Sequence, residues 1–291
     1  MSTVTVKQKA PVFGAILLII YALHTGFTSI SNLFNIIVNA ISAFSTPDYV
    51  GEARITLLFN AIRMAIAEIL SNPLGLVPLV CIVIAILALV RKKGIFLFIA
   101  SALMTVFSVS GVLGTVSSIL LNYLQTFRNL LDHGSITDLL NIWGFDGLIL
   151  APIMALAASL SVVIMWFLFT LLVPACADGK LGFLRKVKKL IGALFTISLI
   201  LMLICTLGSA LRGIAHNIFY PIWLQNLYGE RLHLNTTGYI TSTITIIIDV
   251  VFTLLFAIGM SSIASWMKNS TVTVTAPEES VNDTAEAEIA K

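Results

Sequence analysis

Six long apolar stretches constrain this sequence more than any other feature. They lie at about 11–43, 73–90, 94–124, 147–175, 190–212 and 238–266. A helix needs about 20 mostly apolar residues to cross a bilayer. Only 11% of the residues are charged, against about 25% in a typical soluble domain. The sequence therefore predicts an all-α, polytopic transmembrane helix bundle of about six spans, covering residues 11–268.

The basic residues predict how this bundle is oriented. They form four clusters: Lys7 and Lys9; Arg91, Lys92 and Lys93; Lys180, Arg185, Lys186, Lys188 and Lys189; and Lys268. Lys and Arg accumulate in cytoplasmic loops, and six spans bring all four clusters to one side. We expect a multi-pass cell-membrane protein whose N-terminal segment, residues 1–10, and C-terminus are both cytoplasmic.

The basic clusters also precede three similar apolar segments. Aligned without gaps, Gly14, Gly94 and Gly192 coincide, and hydroxyl residues coincide fourteen positions later. This pattern predicts three parallel helical-hairpin repeats at about 11–90, 94–175 and 190–266. The segments on the other side carry apolar residues three or four apart within 51–71 and 135–145, and aromatic residues within 216–228. We expect these to be amphipathic outer helices or outer segments, with Pro221 breaking the third.

Two ionisable residues fall inside the apolar stretches. His24 is about 13 residues into the first span, and Asp249 about 11 residues into the last, counted from opposite faces. At about 1.5 Å per residue both reach the bilayer midplane. We therefore expect adjacent first and last spans in which His24 and Asp249 face each other. Such a pair can relay protons or hold a cation, or it can be a buried hydrogen bond that sets helix register.

The outer half of the first span carries a polar stripe formed by Ser31, Asn32, Asn35 and Asn39. Lipid does not tolerate such a stripe, so we expect it to face protein or water. By contrast, residues 269–291 are acidic and have little apolar periodicity. This composition predicts a disordered cytoplasmic tail.

Chemical motifs do not identify an activity. Cys81, Cys176 and Cys205 have no metal-ligand spacing and are interpreted as apolar fillers. Neither a phosphate-binding loop nor a zinc-protease motif occurs. We therefore expect no catalytic residues, no metal, no cofactor and no enzymatic activity.

The polar groups within the spans favour a permease- or channel-like membrane transport component. The alternative is a non-catalytic scaffold or accessory protein that acts by partner or lipid contact; a lipid-handling protein is a weaker option. The expected partners are the lipid bilayer and either another membrane subunit or a small solute, with no nucleic acid. A cavity that reaches Asp249 would support transport, whereas a tightly packed bundle would support a scaffold.

Overall fold

A computed structural model describes residues 3–5, 10–45, 52–72, 75–91, 94–133, 149–176, 182–228, 236–269 and 273–275. Within these ranges the chain forms seven α-helices and two short strands. The helices are α1 (Val12–Ser45), α2 (Glu52–Ser71), α3 (Leu76–Leu89), α4 (Ile95–His133), α5 (Ala151–Cys176), α6 (Gly182–Tyr228) and α7 (Thr236–Asn269). The strands are β1 (Thr3–Thr5) and β2 (Thr273–Thr275), which pair antiparallel.

Five of the described helices, α1, α4, α5, α6 and α7, are long and apolar enough to cross a membrane. By length and composition they indicate a multi-pass integral membrane protein. The predicted span at 73–90 differs, because its helix, α3, has 14 residues. It is about 21 Å long at 1.5 Å per residue, which is short of the bilayer core of about 30 Å.

Helices α2 and α3 together run antiparallel to α1 and contact it from Gly26 to Asn39. As residue numbers rise along α1, the numbers of their contact residues fall from α3 into α2. Gly26 meets Pro78, Ser29 meets Asn72, Asn32 meets Glu68 and Asn39 meets Met64. Helix α2 also packs against α4, where Arg63 donates a hydrogen bond to Asn122. The amphipathic segment predicted to be an outer helix is thus built into the bundle beside α1 and α4.

The long helices form antiparallel neighbours along the chain. Helices α4 and α5 are joined by a 3.1 Å hydroxyl contact between Thr105 and Thr170, and α6 meets α7 where Asn217 donates to Thr243 at 3.2 Å. Helix α1 also packs on α7, and α5 packs on α6, so the helices close into a ring. The three helical-hairpin repeats expected at about 11–90, 94–175 and 190–266 stay a prediction.

One end of this ring, the basic end, is where α1 and α6 begin and α7 ends. There Lys188 Nζ donates to the carbonyl oxygen of Lys268 at 2.7 Å, and Lys268 Nζ donates to that of Gly192 at 3.1 Å. The two strands pair there as well and bring the two chain ends together. Helix α4 begins at this end too, directly after α3 and Arg91. Lys188 of the third basic cluster is therefore a neighbour of Lys268, which forms the fourth cluster.

The hydrophobic core fills only the half of the ring nearest the basic end. It takes fully or almost fully buried side chains from six helices: Leu18, Ile84, Leu97, Phe169, Phe195 and Met260. In the opposite half, the far half, few described side chains are buried; Ala61 of α2 is one of them. The reason lies partly in the sequence, because the far half of α1 places Ser29, Asn32 and Asn39 against α2 and the break after it, where the near half places apolar side chains.

Three further expectations from the sequence have different outcomes in the structure. Helix α6 runs without interruption to Tyr228 through Pro221, so residues 216–228 extend the fifth span and are not a broken outer segment. Residues 135–145 and 276–291 lie outside the described residues. Thr273–Thr275, within the tail predicted to be disordered, forms strand β2.

Candidate functional site

A cavity of about 440 Å³ lies at the centre of the ring, just beyond the core. All seven described helices line it: Thr25 of α1, Glu68 of α2, Val77 of α3, Ser108 of α4, Ser159 of α5, Thr206 of α6 and Thr253 of α7. Its floor is formed by core residues, including Trp166, Met202 and Phe256. The cavity is therefore closed toward the basic end by dense packing and only partly enclosed elsewhere.

The cavity wall is rich in hydroxyl groups. Thr25, Thr28, Ser108, Thr115, Ser159, Thr206 and Thr253 all line it. Each of these hydroxyls lies within hydrogen-bond distance of the carbonyl oxygen four residues earlier in its own helix, and the hydroxyls of Thr115 and Ser159 also bond to each other at 2.8 Å. A hydroxyl has one proton and two lone pairs. Where the proton is directed to the backbone, the lone pairs remain as acceptors on the cavity side.

The break between α2 and α3 lies in the cavity wall. Gly75 has a left-handed backbone with φ +69°, which glycine adopts without steric cost. Asn72 Oδ1 accepts a 3.0 Å hydrogen bond from the backbone N–H of Val77, so it satisfies one free donor at the start of α3. Its Nδ2 donates to the hydroxyl oxygen of Ser29. Asn72 therefore fastens the break to α1, close to the midpoint of that helix.

Glu68 lies one helical turn before Asn72 and also lines the cavity. Its Oε2 accepts a hydrogen bond of 2.9 Å from Asn32 Nδ2. The sequence interpretation missed this site because it treated 51–71 as an outer segment. Two signals could have revealed it: the four-residue spacing of Glu68 and Asn72 on one helical face, and the turn-forming sequence Asn72-Pro73-Leu74-Gly75.

No protein-family model, no curated protein and no solved structure matches this chain. Its function must therefore be inferred from its own geometry. Within the described ranges, no group of three or more His, Cys, Asp or Glu side chains is arranged to hold a metal ion. The cavity offers hydrogen-bond acceptors, one carboxylate and aromatic rings, an arrangement that can bind and orient a solute.

His24 and Asp249 are in contact, as the depth argument predicts. The distance from His24 Nε2 to Asp249 Oδ1 is 3.1 Å, and the His24 ring stacks on Phe252 with 3.8 Å between centroids. The His24 side chain is 19% exposed and that of Asp249 is 54% exposed. Neither residue is among the described residues that line the cavity, so the cavity reaching Asp249 that was expected of a transport protein is not found. The pair joins α1 to α7 beside the cavity, within one helical turn of the lining residues Thr25, Thr28 and Thr253.

The polar stripe of α1 divides between two environments. Asn32 donates to Glu68, and Asn39 Nδ2 lies 4.0 Å from Met64 Sδ, so both face α2. Ser31 and Asn35 are exposed on the surface of the chain. The reason is helix periodicity: Asn32 and Asn39 are two turns apart and share the face that α2 covers, whereas Ser31 and Asn35, one turn apart, lie on the adjacent face.

Proposed function

We propose that this chain is a permease- or channel-like transport component that admits a small polar solute to the central cavity without catalysing a reaction. One observation carries the proposal: a half-enclosed cavity, mostly apolar but lined also by hydroxyl, amide and carboxylate groups, lies at the centre of a closed ring of helices, five of which are long and apolar enough to cross a membrane. Polar groups within the membrane are costly unless they serve protein contacts, water or a solute. A scaffold working by surface contact needs no such cavity.

Two features support a six-span topology for this function. First, α2 and α3 run antiparallel to α1 from Gly26 to Asn39, which supports reading the two together as a sixth, discontinuous crossing. Second, β1 pairs with β2, which brings both chain ends to one side and so favours an even number of crossings. Transporter sites are often built from such broken helices. With the basic end in the cytoplasm, the cavity faces the opposite side.

The contact between His24 and Asp249 has a structural role in this proposal. The cavity wall is formed on one side by Thr25 and Thr28 of α1 and by Thr253 of α7, which are close neighbours of the pair. A hydrogen bond between His24 and Asp249 holds these two helices together at the level of the cavity. The pair therefore holds α1 and α7 together at the cavity wall. Breaking its hydrogen bond would give lateral access to the cavity between these two helices.

Thiol labelling tests the proposal even while the solute is unidentified. In a variant lacking the three native cysteines, Ser108→Cys introduces a thiol into the cavity, and Ser101→Cys introduces one into the core, where Ser101 is 0% exposed. A membrane-impermeant, charged thiol reagent should label Ser108→Cys from the non-cytoplasmic side and leave Ser101→Cys unlabelled. A transporter must also expose its site to the other side, so inside-out vesicles should label Ser108→Cys more slowly.

The labelling pattern separates the alternatives. Labelling of Ser108→Cys from one side under all conditions would contradict passage through the cavity. An absence of labelling from both sides, or equal labelling of the two variants, would contradict the cavity itself. Proteoliposome flux of candidate solutes would then be measured for the unmodified and the labelled Ser108→Cys protein, and labelling should block flux.

A second candidate, an accessory protein that contacts a membrane partner, is favoured by one observation. Asp249 is 54% exposed in a helix that is otherwise apolar at this depth. Lipid does not solvate a carboxylate, so a partner helix could cover it. Crosslinking from Ile248→Cys, next to Asp249, to a specific membrane protein in native membranes would support this function. Labelling by lipid-soluble reagents alone would oppose it.

A further inference from the structure

We infer that the cavity selects a small organic cation, an ammonium group carried on an apolar body, with Glu68 as its counter-ion. This inference rests on the proposed function and gives it a substrate class. Among the described residues that line the cavity, Glu68 is the one with a formally charged side chain at neutral pH. A cation that leaves water needs an opposite charge and hydrogen-bond acceptors in place of its hydration shell.

The wall supplies those acceptors. Five lining hydroxyls, those of Thr25, Thr28, Ser108, Thr206 and Thr253, donate to their own helix backbone, so they offer oxygen lone pairs to the cavity. An ammonium group carries only donors. An anion would instead be repelled by the Glu68 carboxylate in the same wall. The hydrogen-bonding polarity of the cavity therefore agrees with the sign of the charge on Glu68.

Glu68 is held in position for this role. Asn32 donates to its Oε2 at 2.9 Å, and Asn72, one turn further along, is fastened to Ser29 and to the start of α3. A side chain of α1 therefore orients the carboxylate, and helix α2 ends three residues after Glu68, at Ser71. Because the surroundings are membrane protein and not bulk water, attraction between this carboxylate and a bound cation is only weakly screened.

The floor of the cavity accounts for the apolar body. Phe256 lies 4.5 Å from Tyr21 and 6.0 Å from Trp166, measured between ring centroids. Aromatic faces attract cations and pack well against apolar groups. A bare alkali ion would leave most of the cavity of about 440 Å³ unfilled. An organic ammonium ion of modest size contacts both the carboxylate wall and the aromatic floor.

Binding of matched probes to the full-length protein in lipid nanodiscs tests the inference. The probes are 2-phenylethylammonium, its neutral counterpart 2-phenylethanol and the anion phenylacetate, measured by calorimetry, with sodium chloride as the competing alkali salt at matched ionic strength. The ammonium probe should bind at least tenfold more tightly than the other two. Glu68→Gln, which keeps an oxygen to accept from Asn32, should reduce its affinity tenfold or more, and Glu68→Asp less.

The control is Asp249→Asn, since Asp249 is a second carboxylate at mid-helix and lies outside the cavity lining. It should change affinity by less than about threefold. Equal binding of the neutral and cationic probes, displacement of the ammonium probe by equimolar sodium, or a larger loss from Asp249→Asn than from Glu68→Gln would each overturn the inference. Thermal unfolding establishes whether each variant is folded. If Glu68→Gln does not fold, Glu68→Asp replaces it in the comparison.

The outcome also separates this inference from the proposed function. Ammonium binding that depends on Glu68, combined with thiol labelling of Ser108→Cys from one side only, would support the ligand class and reject transport. Labelling from both sides without preference for the ammonium probe would support transport and reject the cation. The two proposals therefore fail in different experiments.

Discussion

Gly14 and Gly259 bring the backbones of α1 and α7 into direct contact near the basic end. A Cβ atom on Gly259 would lie 3.0 Å from the carbonyl oxygen of Gly14. Glycine at such a position permits helices to approach more closely than any other residue. This contact lies on the core side of the hydrogen bond between His24 and Asp249, so two separate contacts hold the same helix pair together.

We predict that Gly14→Ala destabilises the protein by about 1–3 kcal/mol, as overpacking of a tight interface does. The added Cβ would lie 2.7 Å from Ser262 Cβ and 2.9 Å from the Gly259 carbonyl oxygen, so α7 must move. The measurement is unfolding in mixed micelles. The control is Gly26→Ala on the same helix, whose Cβ would meet Pro78 at an ordinary 3.6 Å. Equal losses for the two variants would contradict the close approach.

At the break between α2 and α3, Gly75→Ala should destabilise the protein by about 1–2 kcal/mol through backbone strain, because its φ is +69°. Steric crowding plays no part, since no atom of the described residues lies within 4 Å of the added Cβ. Gly75→Asn should lose less, because asparagine tolerates the left-handed region. The comparison is made by thermal unfolding in detergent, and an alanine variant as stable as wild type would argue against this turn.

Asn72→Ala should be more destabilising than Ser29→Ala. It removes both the hydrogen bond to Ser29 and the acceptor for the Val77 N–H, and an unsatisfied buried donor costs about 1–3 kcal/mol. Ser29→Ala removes one of these two contacts. Asn72→Asp keeps the acceptor and should lie between them. Unfolding of the three variants in mixed micelles gives the order, and a reversed order would reject the role of Asn72 at the break.

The contact between His24 and Asp249 predicts coupled energies. In a double-mutant cycle of His24→Ala and Asp249→Ala, the coupling should be about 0.5–3 kcal/mol in unfolding free energy, as for residues in direct contact. The same cycle between His24→Ala and Asn217→Ala, whose amide bonds to Ser242 and Thr243 near the far end of α7, should be additive. Additivity in the first cycle would mean that the hydrogen bond does not form in the membrane.

Much of the arrangement around His24 and Asp249 could be predicted from the sequence. Rise per residue relates position along an apolar helix to depth, so two polar residues at equal depth on neighbouring helices are expected to meet. The hairpin repeats and the orientation predicted from the basic clusters rest on the same kind of argument, because membrane topology depends on where charges lie along the chain. Both properties are read from positions along the chain and need no knowledge of the packing.

Glu68 and Asn72 could not be assigned in this way. The apolar and polar faces of α2 are clear in the sequence, but amphipathicity does not say whether the polar face meets water, lipid headgroups or a protein cavity. Likewise, Pro221 is a helix breaker by local chemistry, yet α6 continues through it. Neighbouring helices decide both outcomes, since they determine which surface is available to each face.

The sequence by itself determined that this chain forms helices long and apolar enough to cross a membrane, and it predicted the contact between His24 and Asp249. Only the tertiary structure decided that the polar residues of α1, α2 and α7 enclose a cavity, that Glu68 belongs to it, and that the His24–Asp249 pair lies outside it. The physical reason is that depth follows from distance along the chain, whereas the inward or outward direction of a side chain depends on the helices packed around it.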